Sequence, residues 1–339
     1  MPALAFDKIV VVTKKTAVEG LIERFGTYAQ ARFYLQQEAA REASGGVGPD
    51  FAEYDAAHAA YQDALDRLRA ALPRAGEGGR GSSGGGATRV QFIERAFLPT
   101  FTFGPRDLIV TLGPDGLVVN TAKYLQAGQP LAAFNPDPAR IEGVLVPFAL
   151  EQARPVLVRA LSGNAAVRSV SMVLAELSDG QTLHAVNDLF IGRRTHVSAR
   201  YRLRFGDKTE DQSSSGIIVS TGAGSTGWLR SIVMGAAGIV AEWGGNGGPA
   251  ANDEDACRFP WDARYVRFSV REPWASKTTG ATLVAGRIEA GQVLEVVSQM
   301  PQSGVIFGDG VEEDFLPFNS GAVARIRLAD RALRLVVPG

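Results

Sequence analysis

The chain has 339 residues, 45% of them hydrophobic and 21% charged, and a formal net charge of -1. That length suits two domains, each with a core of its own, and the near-neutral balance predicts neither a nucleic-acid partner nor an anionic membrane surface. A single cysteine, Cys257, excludes an internal disulfide framework and a cysteine-built zinc site. The stretch "MPALAFDKIVVVTKKT" has no basic region followed by a long apolar one. No apolar run approaches the roughly 18 residues of a membrane span, so a cytoplasmic setting is expected.

In chain order, "KIVVVTKKT" is a β-branched run closed by polar residues and predicts a buried first strand. Phe51, Tyr54, His58, Tyr61, Leu65 and Leu68 then recur at helical spacing, with Asp50 as N-cap and Pro73 as the stop. Residues 74–88, "RAGEGGRGSSGGGAT", have little to bury and many glycines to order, which predicts a mobile linker. "RVQFIER" and "DLIVTLG" read as strands, "LVVNTAKYL" as a helix and "PLAAFNPD" as a further strand. Such alternation predicts a parallel sheet with crossover helices. After a helix around "ALEQARPVLVRAL", near residues 161–166, short β-rich runs take over, among them "RSVSMVLAEL", "SARYRLRF", "ARYVRFSVR" and "ARIRLADRALRLVV". Turn signals such as "SDG" and "EAG" separate them. The expected organisation is an α/β domain over residues 1–163 and an antiparallel, sandwich-like β-rich domain over 164–339.

Two glycine-rich stretches carry candidate chemistry. In "DLIVTLGPDGLVVNTAKYL", Asp115 sits between Pro114 and Gly116 at a strand-to-helix turn, where it can hold a phosphate, activate a hydroxyl or merely turn the chain. In "GIIVSTGAGSTGWLRSI", Gly222, Gly224 and Gly227 form G-x-G-x-x-G, and Glu242 follows at the distance of a ribose-binding acid. The flanks are antiparallel in character and the following helix is expected to be short, which argues against a Rossmann unit. A turn needing glycine dihedrals is one alternative; a phosphate- or nucleotide-contacting loop of another family is the other. There is no P-loop sequence. His58, His184 and His196 lack metal-like spacing and are expected to be structural, and Ser225 and Ser231 have no histidine and acid partners for a hydrolase triad.

Taken in order, "GPDG", "VNDLFIG", "STGAGSTGWLRS" and "GDG" resemble the motifs of NAD kinases, and "SVREPWASKTTG" and "GDGVEEDFLPFNSGAVARI" are similar to the mitochondrial-type branch. The resemblance covers residues 107–337. It implies the NAD kinase/diacylglycerol kinase-like fold and transfer of the γ-phosphate of ATP, with Mg2+ or another divalent cation, to the adenosine-ribose 2′-hydroxyl of NAD. Its partners are then small molecules, NAD and ATP, and the protein a homo-oligomer. Residue by residue, the resemblance implies Asp115 as the catalytic residue and Gly113, Gly116, Gly222, Gly224 and Ser225 as phosphate- or nucleotide-binding. Asn187, Asp188, Thr226, Gly227, Trp228 and Ser231 are implied to contact NAD; no residue is assigned to a metal. Pro114, Leu117, Ser215 and the Gly227-Trp228 pair depart from the family pattern. Those departures keep open a related sugar or lipid kinase, or a non-catalytic nucleotide-binding protein.

Overall fold

The computed structural model describes residues 6–42, 51–72, 88–243 and 257–339. Most of the predicted linker, as well as Asp50 and Pro73, lies outside them. The chain divides into two compact units, residues 1–167 with 335–339, and residues 168–334.

The first unit contains β1 (Lys8–Thr13), α1 (Ala17–Phe25), α2 (Tyr28–Glu42), α3 (Phe51–Ala71), β2 (Arg89–Glu94), β3 (Asp107–Leu112), α4 (Asp115–Ala122), β4 (Pro130–Asn135), β5 (Phe148–Ala149) and α5 (Ala153–Leu161). Strands β2, β1, β3 and β4 lie side by side, all parallel, with β5 added on β4. Ile9, Val10, Val11 and Val12 are wholly buried, as suits an interior parallel strand covered on both faces. Tyr61, Leu65 and Leu68 of α3 enter the same core. Nδ1 of His58 lies 2.8 Å from the Thr16 hydroxyl, a structural role. Helices α1 and α2 are additions to the sequence reading. A capping box starts α1, with the Glu19 N–H donating to the Thr16 hydroxyl and the Thr16 N–H donating to the Glu19 carboxylate.

The second unit is an antiparallel sandwich, as the β-rich runs predict. It comprises β6 (Val167–Leu177), β7 (Thr182–Ala185), β8 (Asp188–Arg193), β9 (Ala199–Phe205), β10 (Lys208–Ser214), β11 (Ile217–Ser220), α6 (Trp228–Trp243), β12 (Tyr265–Val270), β13 (Ala285–Glu289), β14 (Leu294–Ser298), β15 (Gly304–Gly308), β16 (Phe315–Pro317) and β17 (Val323–Val336). One sheet runs β10-β9-β14-β17, with β6 on β17 and β7 on β6; the other runs β13-β12-β11-β8-β15-β16. Alternate residues such as Leu189, Ile191, Ile217, Val219 and Ile306 point into the shared core with Tyr201, Leu203 and Leu294. The other face of the second sheet carries Phe190, Ile218, Val305 and Phe307. Among the described residues no helix is long and apolar enough to cross a membrane.

Candidate functional site

One candidate site, in the first unit, is the turn between β3 and α4. Every residue of β3 is buried, and the Gly113 N–H donates to the carbonyl of Phe134 on β4 at 3.2 Å. Asp115 is the first residue of α4, so its charge faces a favourable helix N-terminus. The N–H groups of Val144 and Leu145 donate to its Oδ2 and Oδ1 at 2.9 and 2.8 Å. Two backbone donors fix the carboxylate and leave lone pairs for a further hydroxyl. Gly143 permits this approach, since a Cβ there would lie 1.8 Å from Val146 Cγ2 and 3.3 Å from Asp115 Oδ1. At Gly116 an added Cβ would meet nothing within 4 Å, so the helix start beside Asp115 borders open space. Leu117, one of the departures from the motif, is buried.

A separate candidate site lies within the second unit, at one end of its second sheet. Asp188 opens β8 and is paired with Ser220 on β11, while Leu189 is opposite Gly308 on β15. Beyond β15, Asp309 adopts a left-handed φ of 58°. Its carboxylate accepts the N–H groups of Val186, Asn187 and Asp188, at 2.7 Å from Asn187. The Asp188 carboxyl is buried, and burial first, then the Asp309 charge, pushes its pKa up to about 7. Asn187 precedes the strand and is half-buried.

The loop after β11 packs onto this turn. Thr221 donates its N–H to the Asn187 carbonyl at 2.9 Å, and the Gly224 N–H donates to the Thr221 hydroxyl at 3.2 Å. A Cβ on Gly224 would sit 2.1 Å from the Asn187 oxygen, and one on Gly222 1.9 Å from the Pro260 oxygen. Neither glycine, nor Gly227, has a positive φ. Close backbone approach, rather than an unusual dihedral, accounts for Gly222 and Gly224. The Ser225 hydroxyl is buried and donates to the Gly222 carbonyl at 2.7 Å. Thr226, Gly227 and Ser231 are exposed, and the space at Gly227 admits an alanine, with only Gly224 O at 3.4 Å. One expectation needs correction. Helix α6 runs for 16 residues rather than being short. The antiparallel character read from the flanks is present: β11 is antiparallel to both β8 and β12, so the G-x-G-x-x-G stretch is not part of a Rossmann βαβ unit.

No family model matches the chain. A probable NADH kinase of Oryza sativa subsp. japonica is 23% identical over 227 residues, a match that spans 60% of this chain and 63% of the rice protein. The structure of yeast NADH kinase complexed with NADH superimposes with a TM-score of 0.56 at 14% identity, over 98% of this chain and 84% of that one. An NAD kinase from Archaeoglobus fulgidus in complex with ATP gives a TM-score of 0.52 at 16% identity, over 97% of this chain and 93% of that one. The chain has the NAD kinase fold.

Within that fold the structure gathers the implied site residues in two groups: Gly113, Asp115 and Gly116 in the first unit, and Asn187, Asp188, Gly222, Gly224 and Ser225 around Asp309 in the second. Trp228 opens α6, directly after the glycine loop. It is 38% exposed and lies edge-on to Phe190 and Phe307, with ring centroids at 6.0 and 6.2 Å. These rings share a cavity of 320 Å3 with Ser215, Arg193, Arg194 and Arg271. The sequence reading missed Asp309 as a site residue, though "GDG" marked its turn, and it missed the arginines, for which "IGRR" was the available signal. Among the described residues no three His, Cys, Asp or Glu side chains form a metal-binding group.

Proposed function

We propose that this NAD kinase fold carries out ATP-dependent phosphorylation of NAD or NADH at the adenosine-ribose 2′-hydroxyl. The observation that carries the reading is Asp115: a carboxylate held by two backbone N–H groups, at the C-terminal end of an interior parallel strand, beside open space. Open α/β sheets collect ligands at that end. The rice relative's name and the ligands in the yeast and archaeal structures point to the same substrates.

Asp115 takes the hydrogen bond of the ribose hydroxyl and accepts its proton as the oxygen attacks the γ-phosphorus. A new O–P bond forms, the bond from the β,γ-bridging oxygen breaks, and ADP leaves with that electron pair. Asn187 and Asp188 bind dinucleotide hydroxyls, while Thr226, Gly227, Trp228 and Ser231 border the dinucleotide. Trp228 offers a half-exposed ring face for stacking. Gly222, Gly224 and Ser225 act by shaping that loop. Among the described residues no three carboxylate, histidine or cysteine side chains form a metal-binding group, so Asp115 would hold Mg2+ together with the donor phosphates, and the ion would supply neutralisation of phosphate charge. The reading extends to the mitochondrial-type branch, a homo-oligomeric assembly and a cytoplasmic setting, which light scattering and cell fractionation check.

The test is incubation with Mg-ATP and either NAD or NADH, followed by an NADP-specific enzymatic readout. NADP should form, and Asp115→Asn should lose on the order of 10² or more in turnover with its melting profile retained. Near-normal turnover in that variant would refute the role of Asp115.

A further inference from the structure

The first unit holds another cavity, of 470 Å3, whose wall includes Lys14, Lys15, Glu23, Tyr61, Leu65 and Arg69. It lies where β1 ends, on the ligand-collecting side of the parallel sheet. Tyr61 connects it to the Asp115 turn. The Tyr61 hydroxyl donates to the carbonyl of Leu112, the last residue of β3, at 3.1 Å, and accepts the Lys14 N–H at 3.0 Å. One side chain thus joins the end of the strand bearing the lysines to the end of the strand leading into "GPDG".

The charges in the cavity are unevenly satisfied. Glu19 is occupied by the Thr16 N–H and by Gln62. Lys15 is shared by Glu23 and Glu94, at 2.5 and 3.5 Å. Lys14 forms no ion pair among the described residues; its ammonium lies 5.8 Å from the centre of the Tyr61 ring. Half-burial and the charge of Arg95 both disfavour that ammonium. A cation pressed by another cation and lacking a carboxylate is stabilised by an incoming polyanion.

We propose that this cavity receives the phosphate chain of the phosphoryl donor, with Lys14 as a direct ligand and Lys15 exchanging a carboxylate for a phosphate oxygen. This rests on the kinase reading above, and it adds a donor subsite on the same sheet edge as Asp115. A nucleoside triphosphate and inorganic polyphosphate share the chemistry.

The wild type, Lys14→Gln, Lys15→Gln and, as a charge-matched control in the second unit, Lys208→Gln are titrated calorimetrically with tripolyphosphate and with Mg-ATP. The Michaelis constants for ATP and NAD are measured alongside. Losing one charge-assisted phosphate contact should weaken binding of the phosphate chain by roughly tenfold or more. Lys14→Gln should therefore raise the constant for ATP with that for NAD unchanged, Lys14→Arg should recover most of the loss, and Lys208→Gln should match the wild type. ATP bound far more tightly than tripolyphosphate identifies a nucleotide donor; equal affinities identify polyphosphate. Wild-type affinity for both ligands in Lys14→Gln and Lys15→Gln overturns the proposal, even where NADP forms. Binding that depends on Lys14 without any NADP formation upholds the subsite and refutes the kinase reading instead.

Discussion

Asp188→Asn separates the cost of a buried carboxylate from its use. Asp188 is 8% exposed, and its pKa is raised from 3.8 to about 7 by burial and by the charge of Asp309. At about 1.4 kcal/mol per pH unit, a shift of this size corresponds to at most about 4 kcal/mol of stability. The folded chain binds this proton more tightly than the unfolded chain. The contribution is therefore fully present below about pH 4, declines as pH rises, and is gone once pH passes about 7. Asparagine keeps the shape and cannot ionise. Calorimetric melting between pH 4.5 and 8.5 should show the wild type losing stability across that window and Asp188→Asn losing less. For a chain of this size each kcal/mol shifts the melting temperature by roughly 2–4 °C. The variant should therefore melt several degrees above the wild type at pH 8 and close to it at pH 4.5. A wild-type midpoint that stays flat over the range, with no gain in the variant, would refute the reasoning. The same substitution should raise the Michaelis constant for the dinucleotide about tenfold, with that for ATP unchanged.

Other substitutions test the remaining contacts. Trp228→Ala should lose on the order of 1 kcal/mol of dinucleotide affinity, read by titration, and Trp228→Tyr should restore most of it. A fall in melting temperature with affinity unchanged would assign Trp228 to packing against Phe190 and Phe307. Gly224→Ala forces a Cβ toward the Asn187 oxygen, 2.1 Å away in the present backbone. It should lower the melting midpoint by several degrees and weaken dinucleotide binding together; wild-type values of both would show that the loop yields without cost.

What the sequence discloses here depends on how far each signal travels. β1, β3 and α3 were legible because their burial follows a local period of apolar residues, and the β-rich half because turn residues punctuate it. Helix α1 was missed although "TAVE" carries a capping box. Helix α2 was missed because its pattern is weak: Ala31 is its one buried residue among those whose side chains are described. Helix α6, expected to be short, runs through the glycines of "MGAAGIV" to Trp243. The motifs disclosed Asp115 and Asp188 because a strand-end turn is written in adjacent residues. What equips those carboxylates is not adjacent. The donors that fix Asp115 come from 29 and 30 positions away, and Asp309 takes its shortest N–H bond from 122 positions away. Tyr61 makes the same point in reverse. Its spacing marks it only as one of an apolar stripe, and the hydroxyl that joins Lys14 to Leu112 has no periodic signature at all. A motif can therefore name the acid of such a site from local sequence, whereas the groups that orient it and receive the donor phosphates must be found from the packing of distant strands.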